Sequence, residues 1–350
     1  MSNAQEGQRA PDSKLAHLDA CLGNEVEYHK STGFERWDFE NQASANISLE
    51  RLSIETTLVG KKIAAPVMIA PMTGGVARGH ELNRMLFRAA EKWRLPVGVG
   101  SQRVALENAQ RASYFHARTD APSTVIFANV GAGQFCKGWG AEEAKRAVDM
   151  IQADALYVHL NPIQEACQAG GDVDFRQLTD AVARVCKGLQ KEGIPVFARE
   201  VGFGLSEDAV RTLIDCGVSG LDCAGSGGTS WAKVEALCTE DKTMRNLGML
   251  FGEWGIPTSQ AIQNVRRVSQ RIPLVATGGI RSGLDVAKAI ALGADIAAMA
   301  RPMLLAADEG EEEVDRFINE VLLGLKIAMF GIGACDLEDL KNTPHLHKTK

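Results

Sequence analysis

Eight short runs of apolar and β-branched residues recur along the chain, and each closes on glycine or polar residues before a helical pattern begins. In order they are 67-VMIAP-71, 97-VGVG-100, 125-VIFANV-130, 155-ALYVHLN-161, 196-VFARE-200, 220-GLDC-223, 274-LVATGG-279 and 296-IAAMAR-301. Amphipathic spacing between them predicts helices over 80–93, 107–118, 141–152, 174–192, 206–216, 258–271 and 283–292, with 311–330 after the last strand. Continuous apolar strands alternating with helices describe a parallel sheet covered on both faces. Eight such units in succession fit an α/β fold of the (β/α)8 TIM-barrel type. A doubly wound open sheet is the competing architecture. It would gather its polar residues at one switch point behind a GxGxxG turn, whereas here no such turn follows the first strand and polar residues close many strands.

The pattern divides the chain into an N-terminal extension over 1–66 that packs on the barrel, a single barrel domain over 67–344 and a short tail over 345–350. Residues 231–257 form a long insertion after strand six, of a length suited to a lid. The acidic run 308-DEGEEEVD-315 reads as a solvated helix start.

Composition narrows the picture in two ways. The 350 residues carry a net charge of −6, so no global positive field recruits nucleic acid or an anionic membrane. Any phosphate must therefore be held by a few local cations and backbone N–H groups. The eight cysteines are scattered singly without CxxC or metal-ligand spacing, and the N-terminus lacks an apolar leader. Both features, with the lack of any apolar run near 18 residues, predict a cytoplasmic protein with reduced thiols and no membrane span.

In a barrel the chemistry belongs at the strand ends. The segment 155-ALYVHLNPIQE-165 leaves an apolar strand and offers His159, Asn161, Gln164 and Glu165 within seven residues. Either these cap the next helix or they form a site. The loops after strands seven and eight, 277-TGGIRSG-283 and Ala300-Arg301, stand where phosphate commonly sits in such barrels. Each alone reads equally well as a glycine turn; together in those positions they favour a phosphate site. The loop 225-GSGGTSW-231 adds the hydroxyls of Thr229 and Ser230 to the same rim. Arg199, closing strand five, would either pair with Glu200 or another carboxylate at the barrel mouth, or neutralise negative charge on a cofactor ring.

The runs MTGG, GSQR, ANVGAGQ, HLNPIQE, EVGFGLS, AGSGGTSW, WGIPT and GGIRSGLDVAKAIALGA, spread in order from about residue 13 to about 344, resemble the type 2 isopentenyl-diphosphate isomerases, which are FMN-dependent. The related 2-hydroxy-acid oxidases share the barrel and phosphate loops, but their catalytic His-Gly-Gly arrangement is absent here. The resemblance implies FMN-dependent isomerisation of isopentenyl to dimethylallyl diphosphate, with NADPH as reductant of the flavin and Mg2+ as a second cofactor. It implies FMN contacts from Pro71, Met72, Thr73, Ser101, Asn129 and Arg199. Thr229, Gly279, Ile280, Arg281, Ala300 and Arg301 would hold ribityl and phosphate. The substrate diphosphate would lie among Lys14, His17, Ser101, Gln102, Arg103, His159 and Asn161. Gln164 matches the family's glutamine beside the allylic carbon and is the implied catalytic residue, while Glu165 matches its Mg2+ ligand. Gln164 has no proton that titrates near neutrality, so it would orient the alkene or relay a proton. The family assembles as tetramers or octamers, which implies a homo-oligomer.

Three positions depart from the family pattern. Arg-Lys-x-x-His reads Ser13-Lys14-Leu15-Ala16-His17, Ser-Ser before Met-Thr-Gly-Gly reads Ala70-Pro71, and the lysine after strand five is Arg199. They lie at the substrate end and the flavin edge. The alternative they motivate is a diverged FMN-dependent oxidoreductase or isomerase acting on another substrate. A non-catalytic binding protein would require loss of the flavin loops, and Gly278, Gly279, Arg281 and Arg301 are all present.

Overall fold

A computed structural model describes residues 13–23, 25–115 and 117–349. Eight parallel strands close into a barrel: β1 (Val67–Ile69), β2 (Val97–Gly98), β3 (Ile126–Gly131), β4 (Ala155–Leu160), β5 (Val196–Glu200), β6 (Gly220–Asp222), β7 (Leu274–Ala276) and β8 (Ile296–Met299). Each pairs with its successor, and β8 closes on β1 through Ala298 opposite Met68. The expected TIM barrel is the observed one, with strands that stop one to three residues earlier at several ends where glycine and polar residues turn the chain into the rim.

Alternation along the strands sorts the core into two apolar clusters. Met68, Phe127, Tyr157, Phe197, Val275, Ile296 and Ala298 fill the barrel interior, and Leu58 and Ile63 of the hairpin Thr56–Leu58/Lys61–Ile63 belong to the same cluster. Phe127 stacks on Tyr157 at 4.5 Å between ring centroids, and Phe197 meets both rings edge-on. These geometries add to simple area burial. The other strand faces pack against the surrounding helices in one larger cluster.

Two helical expectations differ from what forms. The stretch 107–118 is a short helix, Arg103–Glu107, followed by a 3-10 segment, Ala109–Phe115. Asn108 separates them because its Oδ1 accepts the Gln110 N–H, a local bond that competes with helix propagation. After β8 a helix begins at once, Arg301–Glu309, and Gly310 (φ 131°) divides it from the predicted helix, Glu311–Ile332. The glutamates of the acidic run fill that second helix's first turn.

The N-terminal helix, Ser13–Leu22, lies against Trp231–Cys238 of the segment after β6. That segment continues through Lys242–Leu250 and Phe251–Glu253. Both additions thus cover the barrel mouth at the strand C-termini. Residues 1–12 and the Ser13 side chain lie outside the described part, so the departure at Ser13 is not placed.

Candidate active site

Strand register alone lines up the chemistry. Gly131, His159, Arg199 and Asp222 are successive partners across β3, β4, β5 and β6, forming one rung at the C-terminal rim. Two adjoining cavities open above it. One, about 140 Å³, is lined by Lys14, His17, Thr73, Ser101, Arg103, Asn129, His159, Asn161, Gln164 and Glu165. The other, about 50 Å³, is lined by Thr229, Gly278, Gly279, Ile280, Arg281, Ala300 and Arg301. Pro71, Met72, Arg199, Val201 and Trp231 form their common wall. Every candidate residue faces one cavity or the other except Gln102 and Ser230, whose hydroxyl is fully buried behind the rim and lines neither cavity. The Gln102 side chain is fully buried, donating to Ala147 O and accepting from Asn129 N, so it braces the wall behind Asn129.

In the larger cavity Asn129 Nδ2 donates to Val99 O, which turns its Oδ1 toward His159 Nδ1 at 2.8 Å. The Nδ1 must then carry the proton, leaving the neutral ring's Nε2 as a lone pair. Burial, reinforced by Arg199, Lys14 and Arg103, pulls the His159 pKa down to about 3. Lys14 donates to Ser101 O at 2.9 Å, and burial beside Arg103 and Arg111 lowers its ammonium to about 7. The cations of this pocket are therefore short of negative charge. A bound diphosphate would restore both groups to their protonated forms, so binding at pH 8 should take up about two protons, one at each group. Each group would bind its proton more tightly in the complex, so affinity should fall as pH rises, from about 3 through His159 and more steeply above about 7 through Lys14. Diphosphate calorimetry in two buffers of different ionisation enthalpy measures the uptake; no uptake at pH 8 would contradict the placement.

Beside this anion pocket lies a chain of side-chain hydrogen bonds. Asn161 Nδ2 reaches Gln164 Oε1 at 3.2 Å and Glu165 Oε1 at 3.0 Å. Gln164 Nε2 donates to Glu235 Oε1 at 2.8 Å, and the other Glu235 oxygen meets His17 Nε2 at 3.2 Å. Glu235 is buried, so it fixes both partners in a water-poor setting. Glu165 Oε2 accepts the Asp172 N–H at 2.5 Å. Among the described residues no group of three potential metal ligands exists. Glu165 is the one carboxylate among the described residues lining this cavity, so a hard cation there would be held through it and a ligand's phosphate oxygens.

Arg199 takes the ion-pair role considered for it, with Asp222 as the carboxylate, and it also lines both cavities. Its Nε lies 3.6 Å from Asp222 Oδ2 and 3.3 Å from Glu200 O, and its guanidinium stands 5.3 Å from the Tyr157 ring centroid. The Glu200 carboxylate is engaged elsewhere, because one oxygen accepts the N–H groups of Val201, Gly202, Phe203 and Gly204. Burial nevertheless pushes Glu200 up to about 7. Asp222 Oδ1 accepts from Thr277 and Ala224, while Oδ2 has no hydrogen-bond partner among the described residues and faces only the Arg199 cation. Burial raises its pKa against the pull of Arg199.

The smaller cavity is built from backbone. Gly278 (φ 105°) and Gly279 (φ 69°) adopt left-handed conformations. A Cβ on either would come within 2.0 Å of Gly225 O or 2.4 Å of Gly227 O. Only glycine lets the two loops meet. Two helices start beside them. The one at Gly283 is capped by its own Ser282 and Asp285, whereas the one at Arg301 has no side-chain cap at Ala300. An uncapped helix start next to two arginines is suited to a phosphate, so the residues present fit the phosphate end of FMN.

Sequence reasoning did not identify Glu235, Trp231 or Glu27 as site residues. Glu235 meets Gln164 across 71 positions, and only the fold joins them.

Comparison with known proteins gives the family and the fold. A family model described as FMN-dependent dehydrogenase matches residues 7–123 and 204–348. Among relatives, a Synechococcus sp. protein named isopentenyl-diphosphate delta-isomerase is 46% identical over 321 residues, covering 91% of each chain. One of the same name from Methanothermobacter thermautotrophicus is 44% identical, covering 95% of this chain and 92% of that one. Among solved structures, a putative lactate oxidase from Pediococcus acidilactici aligns with a TM-score of 0.68 at 16% identity, covering 97% of this chain and 92% of its own. At that identity the likeness concerns the fold. The relatives concern descent, and by them the chain belongs to the FMN-dependent isopentenyl-diphosphate delta-isomerase family.

Proposed function

We propose that the chain interconverts isopentenyl and dimethylallyl diphosphate, with FMN along the common wall and the substrate in the larger cavity. The observation that carries this is the joining of an anion pocket (Lys14, Arg103, His159) to the Gln164–Glu235–His17 chain across one wall from a phosphate cradle. Reduced FMN bound there, with NADPH as its reductant, would supply the proton-transfer chemistry. The protein residues position the reactants. Lys14, Arg103 and a protonated His159 hold the diphosphate, and Glu165 is the one protein carboxylate offered to Mg2+. Gln164, aimed by Glu235 and Asn161, fixes the alkene over the wall, and Trp231 and Met72 exclude water there. Arg199, on the wall common to both cavities, would supply positive charge to a flavin held there. The test is product formation in deuterated water: reduced enzyme with isopentenyl diphosphate and Mg2+ should yield dimethylallyl diphosphate carrying label. Neither product nor exchange would refute the reading.

Two further properties fit this function. The eight cysteines are free thiols, which suits a reducing cytoplasm. No helix among the described residues is long and apolar enough to cross a membrane. Homo-oligomeric assembly is proposed by family membership.

A further inference from the structure

The phosphate cradle already contains an anion. Glu27 Oε1 lies 2.7 Å from Arg301 Nη1 and 3.1 Å from Arg281 Nη2, so one carboxylate oxygen bridges the two arginines that line the smaller cavity. The backbone around it is fixed. Glu27 bridges Thr229, Tyr28 N donates to Gly228 O, and Ser230 N donates to Val26 O. The side chain is not fixed in the same way, being about one-third exposed with a path to solvent. The arginines differ in their other commitments. Arg301 also donates to Cys21 O and Gly23 O and so ties down the end of the N-terminal helix. Arg281, more exposed, donates otherwise to Gly227 O and Gly279 O of the glycine loops.

We propose that Glu27 is a built-in competitor for the cofactor phosphate, a specificity-determining residue that keeps simple phosphates out of the cradle. This rests on the FMN reading above. A carboxylate and a phosphate cannot share a 50 Å³ cavity without repulsion. Inorganic phosphate offers only charge to displace Glu27. FMN adds ring and ribityl contacts along the common wall, so it can displace the side chain while the backbone bridge to Thr229 stays in place. Arg301 keeps its hold on Cys21 and Gly23, and the arm carrying Lys14 and His17 remains seated throughout.

The experiment titrates flavin-free wild type and Glu27→Gln with FMN and with riboflavin, and repeats the FMN titration in the presence of inorganic phosphate. Expected for Glu27→Gln is FMN affinity raised about tenfold, the factor equivalent to one pKa unit of electrostatic interaction. Riboflavin affinity should not change, and inorganic phosphate should compete with FMN far better than in wild type. Equal FMN affinity in the two proteins would overturn the proposal. So would parallel changes for FMN and riboflavin, since these would make Glu27 a ribityl or packing contact. If neither protein takes up FMN while both remain folded, the cofactor reading itself fails, and this proposal with it.

Discussion

Arg199→Ala is expected to lower FMN affinity by about ten- to a hundredfold, the scale of a lost charge-assisted hydrogen bond. It should also destabilise the flavin-free fold by about 3–5 kcal/mol, because Asp222 is left buried without its cation. The pH dependence has a definite sign. Asp222 already has its carboxyl pKa raised by burial, and removing Arg199 raises it further. A carboxyl whose folded pKa exceeds its unfolded value weakens the fold while ionised and stops doing so once protonated. The stability deficit of Arg199→Ala should therefore be largest near neutrality and shrink on acidification. Arg199→Lys keeps the charge and should retain most FMN affinity. Apo-protein titration and thermal denaturation at two pH values check both statements. Equal FMN affinity in wild type and Arg199→Ala would leave Arg199 as an ion pair within the barrel only.

The second large effect belongs to Glu235. Its carboxylate orients Gln164 and His17 at once, and among the described residues no other side chain holds the two from that side. Misplacing a reacting group by about 1 Å costs roughly a hundredfold in rate. Glu235→Ala should accordingly lower turnover by about 10²-fold or more. FMN binding should not change, since Glu235 does not line the phosphate cavity. Glu235→Gln keeps one hydrogen bond but loses the carboxylate oxygen that meets His17, and should fall between wild type and Glu235→Ala. A Glu235→Ala enzyme with wild-type turnover would remove the positioning role assigned to this chain of side chains.

The contrast between these residues shows what a sequence makes legible. The barrel was visible because a parallel sheet buried on both faces must be written as continuous apolar runs, and all eight runs became strands. The rim chemistry was visible wherever one loop carries its own cluster, as in His159–Glu165 or Gly278–Arg281. Strand ends were less legible, because hydrogen bonding between neighbours decides them. Likewise, in IAAMARPMLL only Pro302, in the first turn of the helix, marks where β8 yields to the helix at Arg301. Gln102 stands next to Arg103 in sequence, yet the two point to opposite sides of the rim. Glu235 and Glu27 are single glutamates whose meaning lies in partners tens to hundreds of positions away. Spacing alone carries no trace of such pairs. Arg199 lies between these extremes. Its location at a strand end was plain, but its simultaneous contact with Asp222, Tyr157 and both cavities required the barrel rung.

The central claim is that flavin and diphosphate occupy the two ends of one continuous site, divided at the wall of Pro71, Met72, Arg199, Val201 and Trp231. A crystal structure of the chain with FMN, Mg2+ and isopentenyl diphosphate tests it most directly. The account predicts the flavin ring along that wall with Arg199 at its pyrimidine edge, and its phosphate beside Arg281 and the helix start at Ala300. The substrate diphosphate should lie among Lys14, Arg103 and His159, with Gln164 over the alkene. A flavin phosphate found outside the Gly278–Arg281 loop, or a diphosphate bound at the arginine cradle instead of the larger cavity, would contradict it.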